Sequence, residues 1–215
     1  MLKRAIDVIG AAVGLAVLAP VWVVLAAWIK FDSPGPVLFR QERMGKGFRP
    51  FRILKFRTMV ADAPARGGAI TFGADPRITR AGRFLRAMKL DELPQLINVL
   101  VGDMSFVGPR PEVSRYVEMF HADYEEVLRV RPGLTDLASI KYRDEATLLG
   151  GADDPEKEYT TRVLPEKIRL AKEYVRRSSL PLDLLLVAKT LLIVLAGGGT
   201  GEKKEKKSPL PPGEG

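Results

Sequence analysis

The chain has 215 residues, with 34 Lys+Arg against 26 Asp+Glu, a net charge of +8, no Cys and one His. Without Cys there is no disulfide, thiolate nucleophile, Cys-ligated zinc or iron–sulfur cluster, and His121 alone rules out a multi-His metal site. Residues 1–111 carry 17 basic and 8 acidic side chains while residues 112–215 carry 17 and 18, so the basic excess, and the anionic partner it implies, belong to the first half.

Residues 8–29, VIGAAVGLAVLAPVWVVLAAWI, are 22 positions without a charge. As a helix they reach about 33 Å, enough to cross the hydrocarbon core of a bilayer. Two features disturb a simple span. Pro20 near the middle removes a backbone donor and should break or kink the helix. Both flanks are basic, Lys3 and Arg4 before and Lys30, Arg40 and Arg43 after, which would hold both ends on the cytoplasmic side. From these residues alone, a single span and a re-entrant hairpin broken at Pro20 stand level. Asp7 lies close enough to pair with Lys3 or Arg4.

Residues 37–41 and 51–59 read as strands of a β-hairpin with a turn at Gly45–Gly47. Residues 60–79 are loop-like, and 80–90 form a short basic helix. In 92–100, Leu93, Leu96, Ile97 and Leu100 fall at helical spacing. A Gly/Pro loop fills 101–111. Residues 112–128 carry an apolar stripe, 137–142 look strand-like, and Pro165 opens a helix to about Arg177. The apolar stretch 181–196 is short for a span and suits the membrane surface. Residues 197–215, rich in Gly, Lys and Pro, are expected to be a disordered tail.

Three groups could carry chemistry. Arg77, Arg80, Arg83, Arg86 and Lys89 recur every third position, which suits either a phosphate site or a solvated face on anionic lipid. Lys55 and Arg57 share one face of a strand, and Arg110 is held between Pro109 and Pro111. Stiffly held Arg donors match phosphate oxygens. Asp91-Glu92 sits between the basic helix and an apolar one. Asp91 could simply cap that helix, but a carboxylate among cations is also a nucleophile for phosphorus, and Mg²⁺ binds one or two carboxylates plus substrate phosphates. His121 reads as structural. Few aromatics interleave the basic residues, so no nucleic acid is expected as partner.

LDELPQLINVLVGDMSFVGPRPE (90–112), with SPGPVLFRQERMG, FRILKFRTM, DPRIT and VRPGLT, resembles the bacterial sugar transferase family, the monotopic phosphoglycosyl transferases that start glycan assembly on polyprenyl phosphate. The resemblance covers about residues 1–196. It implies an α+β membrane enzyme: a re-entrant helix-break-helix over 1–32, a small catalytic domain over 33–196 with a β-hairpin and amphipathic interfacial helices, at the cytoplasmic face of the bacterial inner membrane. It implies transfer of a sugar-1-phosphate from a UDP-sugar to undecaprenyl phosphate with release of UMP and with Mg²⁺ as cofactor, and it is compatible with a homodimer. By the same match Asp91 is the nucleophile and metal ligand, Glu92 assists, and Lys55, Arg57, Arg86, Pro109, Arg110 and Pro111 surround the diphosphate and nucleotide. The chain departs from the family pattern at Ala19, where members often have Ser, at Asp136 and Ser139, where many have Gly and Gln, and at Ala171, where some have Asp.

Overall fold

The computed structural model describes residues 2–65, 75–142 and 149–195; the expected tail at 197–215 lies outside them. The apolar N-terminal run forms α1, Leu2–Asp32, which among the described residues is the one helix long and apolar enough to cross a membrane. Pro20 does not part it into two helices, as the sequence led us to expect, but lies inside one continuous helix. A proline forfeits its own hydrogen bond to the Ala16 carbonyl and its ring crowds that carbonyl, a cost confined to one turn. Opening the helix further would strand more backbone groups in apolar surroundings.

One stripe of α1 packs on the rest of the chain. Ala11 joins Ile53, Val99 and Met104, while Leu25 and Ile29 join Phe56 and Leu85. The opposite stripe, with Ile6, Ile9, Val13, Val17, Val24 and Phe31, is exposed. Polar groups fasten both ends. Lys3 donates to Val107 O at 2.9 Å and pairs with Asp183. Arg4 caps the carbonyls of Val99 and Leu100 at 2.6 and 2.9 Å. Asp7 is buried and accepts from Ser105 Oγ and Phe106 N, both at 3.1 Å, rather than pairing with Lys3 or Arg4. At the far end Asp32 accepts from Ala81 N at 3.0 Å.

The hairpin is β1, Leu38–Met44, against β2, Pro50–Phe56, antiparallel with Leu38 opposite Phe56 and Met44 opposite Pro50. The turn holds Gly47 and Phe48 at φ 66° and 58°. Gly47 takes that conformation without cost; Phe48 is fixed in it by stacking on His121, ring centroids 4.7 Å apart. His121 has no further part in the site.

Next come α2, Arg80–Ala87, and α3, Gln95–Val101. α2 starts at a Thr79 cap and approaches the backbone so closely that a Cβ on Gly82 would sit 2.0 Å from Thr58 O. The loop expected at 101–111 contains a three-residue strand, β3, Ser105–Val107, paired in parallel with β4, Gly133–Thr135. The single amphipathic helix expected at 112–128 is two, α4, Ser114–Met119, and α5, His121–Val127, parted where Phe120 leaves helical geometry (φ −120°, ψ 38°). The expected strand at 137–142 is instead a short helix, α6, Leu137–Lys141, because the Asp136 side chain accepts from Ser139 N and caps it.

α7, Pro155–Glu158, passes through a wide turn, Tyr159–Val163, into α8, Leu164–Arg177, with Pro165 in its first turn. α4, α5, the wide turn and α8 share the largest core, centred on Tyr116, Tyr124, Leu164 and Ile168. α9, Leu180–Leu195, buries Leu186 with Tyr174 and Val107. It leaves Leu184, Leu185, Leu191 and Leu192 exposed.

Candidate active site

The site is assembled where α2 ends. Lys89 takes a left-handed conformation, φ 56° and ψ 19°, and turns the chain into a tight 3-10 turn, Leu90–Glu92. A non-glycine residue there is strained and is kept only where its surroundings hold it. Leu90 and Leu93 anchor the turn in the cluster of Leu25, Ile29, Phe56 and Leu85. Asp91 and Glu92 are thereby placed side by side ahead of α3, whose cap position is Pro94. Asp91 does not cap that helix.

The two carboxylates are treated differently. Glu92 is clamped: Arg110 Nη2 reaches Oε1 at 2.5 Å and Nη1 reaches Oε2 at 3.4 Å, while Lys55 Nζ reaches Oε1 at 3.0 Å. Burial pushes the Glu92 carboxyl up, but Arg110 and Lys55 outweigh it and hold it well below the usual carboxylate range. Asp91 is 8% exposed and makes no hydrogen bond or ion pair among the described residues. Burial therefore dominates and raises its carboxyl, partly offset by Lys55, and reinforced by the neighbouring Glu92 charge. One acid is a fixed anion and its neighbour is a desolvated, uncommitted carboxylate.

Lys55 comes from β2, where alternation sends Phe56 into the core and Lys55 to the opposite face. Arg110 comes from the loop after β3. Gly108 N donates to Thr135 O at 3.2 Å, Gly133 N to Pro109 O at 2.9 Å, and Arg110 N to Asp136 Oδ2 at 3.2 Å. Pro109 and Pro111 are buried and stiffen that loop. Gly108 is required, because a Cβ would lie 2.3 Å from Arg131 O. Arg86 donates to Thr58 Oγ1 at 2.9 Å. Burial pushes its guanidinium down while the Asp91 and Asp75 charges favour it.

Asp91, Glu92, Lys55, Arg86 and Arg110 are thus brought together. Arg57 is not among them. It is 4% exposed and donates to the carbonyls of Ser33 at 2.7 Å, Pro34 at 2.5 Å and Ile29 at 3.3 Å, and to Ser33 Oγ. It closes the C-terminal end of α1. Gly35, at φ 123°, leaves room for it, since a Cβ there would lie 2.0 Å from Arg57 Nη1. Pro20 stands in α1, on its exposed side. Of the series at 77–89, Arg77 is locked to Asp75 with contacts of 2.6–3.1 Å, Arg80 and Arg83 face solvent, and Arg86 turns inward.

Sequence reasoning missed the outer supports of the site. Glu112 is buried, accepting from Arg43 Nη1 at 2.9 Å and Tyr159 OH at 2.5 Å, and its carbonyl accepts from Met44 N. Asp136 was visible only as a departure from the family pattern. Its place before a short apolar run was the signal of a cap. Asp136 and Ala171, two of the departures, line one small cavity with Arg110, Glu112 and Lys167.

The Glu92 clamp has a consequence for stability. A carboxyl held low in the folded state contributes stability that is present above its ordinary pKa of 4.5 and lost as pH falls through the folded value. Glu92→Gln is therefore expected to cost of order 2 kcal/mol near neutrality. That cost should shrink progressively as pH is lowered below 4.5, read from thermal melts of the two proteins on the acid side.

A buried free carboxylate ringed by Lys and Arg, beside a second acid that fixes two of those cations, can attack an electrophile that is itself anionic. The sequence matches the family described as bacterial sugar transferase over residues 1–197. It is 42% identical over 192 residues to a UDP-glucose:undecaprenyl-phosphate glucose-1-phosphate transferase of Caulobacter vibrioides, covering 88% of this chain and 68% of that one. It is 39% identical over 203 residues to a UDP-N-acetylgalactosamine-undecaprenyl-phosphate N-acetylgalactosaminephosphotransferase of Aeromonas hydrophila, covering 92% of this chain and 44% of that protein. An exopolysaccharide production protein of Rhizobium leguminosarum bv. phaseoli is 39% identical over 207 residues, covering 92% and 97%. With a family match over all the described residues and relatives of this identity, the chain belongs to the bacterial sugar transferase family.

Proposed function

We propose that the chain transfers a sugar-1-phosphate from a UDP-sugar to undecaprenyl phosphate at the cytoplasmic face of the bacterial inner membrane, releasing UMP, through a covalent phosphosugar on Asp91. The observation that carries this reading is the division between the two acids: Glu92 holds Arg110 and Lys55, while Asp91 is desolvated and unpaired. Desolvation keeps water from blunting a carboxylate nucleophile.

In the first step an Asp91 oxygen attacks the phosphorus bonded to the sugar. The bond from that phosphorus to the bridging oxygen breaks, and UMP leaves with the electron pair. In the second step a phosphate oxygen of undecaprenyl phosphate attacks the same phosphorus, the Asp91–phosphorus bond breaks, and the carboxylate is restored. Lys55, Arg86 and Arg110 face the charge that builds on the phosphoryl oxygens. Glu92 keeps Lys55 and Arg110 in place and, as a fixed negative neighbour, disfavours a resting charge on Asp91.

The residues present fit Mg²⁺. Asp91 is a buried carboxylate without a protein partner, and Mg²⁺ is commonly held by one or two carboxylates with substrate phosphates. Among the described residues no cluster of three acids stands ready, so Asp91 would hold the ion together with the diphosphate. When bound it would supply charge neutralisation for the leaving UMP.

The test is Mg²⁺-dependent UMP release from UDP-sugars, together with exchange of labelled UMP into UDP-sugar in the absence of acceptor. Exchange without acceptor is the mark of a two-step covalent route. UMP release that needs the lipid acceptor from the first turnover would sink it.

One-sided membrane attachment of α1, with both ends on the face where the rest of the chain lies, is supported by its fastenings. Lys3, Arg4 and Asp7 at one end and Asp32 at the other are all tied to the same domain, and the outer stripe between them is apolar. Both ends then lie on one face of the membrane. Because the chain has no Cys, Leu2→Cys and Lys46→Cys can be labelled singly, and both are expected to react from the same side of sealed vesicles. Labelling from opposite sides would refute the topology.

A further inference from the structure

The loop that carries Arg110 accepts from Gly133 N and Arg43 Nη1 through its proline carbonyls but has few donors of its own. Pro109 and Pro111 have no amide hydrogen, so within 109–111 the Arg110 N–H is the sole backbone donor. It goes to Asp136 Oδ2 at 3.2 Å. The other oxygen of that carboxylate, Oδ1, accepts from Ser139 N at 2.7 Å and caps α6. Asp136 is 3% exposed. One buried carboxylate therefore ties the start of α6, just after β4, to the loop that follows β3. Beyond that tie the Arg110 guanidinium forks onto Glu92.

We infer that Asp136 is a positioning residue for the reaction: by holding the Arg110 amide it sets where the Arg110 guanidinium meets Glu92 and the diphosphate. The inference rests on the transferase reading above. Two acceptors on one short side chain are needed. Serine offers one oxygen, enough for the cap alone. Asparagine keeps one acceptor for Ser139 N, but its other group is an NH2, which cannot accept from Arg110. Asp136→Asn therefore keeps size and cap and removes only the tie to the loop.

The experiment measures kcat and KM for UMP release by the full chain with Asp136→Asn, Arg110→Ala and both together. Amide hydrogen exchange of the segment around 109–111 is read in parallel. Asp136→Asn is expected to lower kcat about tenfold, the size of one lost hydrogen bond to a charged acceptor, with Tm little changed. In the Arg110→Ala background the same substitution should matter less than twofold, because the two residues act in series. The Arg110 amide should exchange faster in Asp136→Asn. Asp136→Ser should behave alike, which guards against one variant failing to fold.

An equal loss from Asp136→Asn with and without Arg110 would overturn the inference, since Asp136 would then act by another route. So would unchanged exchange at Arg110. Failure of the transferase reading looks different: the parent chain releases no Asp91-dependent UMP, and the exchange rates alone then decide whether Asp136 holds the loop.

Discussion

Asp91→Asn is expected to reduce UMP release by at least about a thousandfold, the scale on which loss of a nucleophile is felt, without loss of stability. The stability half of the expectation follows from burial. The Asp91 carboxyl is raised in the folded state. A group of that kind favours the folded state below its ordinary pKa, and the benefit is lost as pH rises through the folded value. Near neutrality the titrating side chain is therefore a burden on the fold, and its neutral isostere should melt at the same temperature or higher. An Asn variant that retains a tenth of the parent's turnover would remove Asp91 as nucleophile. A variant that melts well below the parent would mean that Asp91 has a partner its surroundings do not reveal. UMP exchange should vanish together with turnover, since both need the same bond.

Arg57→Ala is expected to be the most damaging substitution for stability, at about 3 kcal/mol or more. It would leave the carbonyls of Ile29, Ser33 and Pro34 without their donor and open space beneath Gly35. The folded fraction should keep kcat and KM within about twofold, because the guanidinium is occupied at the end of α1. The sequence reading of the same residue, a diphosphate contact, makes the opposite forecast: a raised KM and an unchanged melt. Thermal melts and steady-state kinetics on one preparation separate the two.

The contrast between Lys55 and Arg57 shows where sequence reading reached and where it stopped. Two residues apart on a strand share a face, but β2 ends at Phe56. Arg57 lies just past the strand, so the alternation no longer governs it. The acidic pair, Lys55, Arg86 and Arg110 were legible as motifs of a family. The different fates of Asp91 and Glu92 were not, since they depend on which cations arrive from β2 and from the loop after β3. α1, the hairpin and α8 showed themselves through long apolar or periodic runs. β3 and β4 did not, because three residues are too few to display an alternation and their pairing joins Ser105 to Gly133 and Val107 to Thr135. At 137–142 a local apolar pattern suggested a strand, and one side chain before it, Asp136, decided for a helix.

The fastening of α1 also bears on how the protein is made. α1 leaves the ribosome well before its partners do: Lys3 meets Asp183 across 180 positions and Arg4 meets Val99 across 95. At about 5–20 residues per second of synthesis, Lys3 waits roughly 10–35 s for its counter-charge. Through that interval Lys3 has no ion-pair partner from α9, while Arg4 gains its carbonyls about halfway through it. On the membrane-bound reading proposed above, α1 enters the bilayer before the rest of the chain closes on it. The order of events in biosynthesis is written in the distance between partners along the chain.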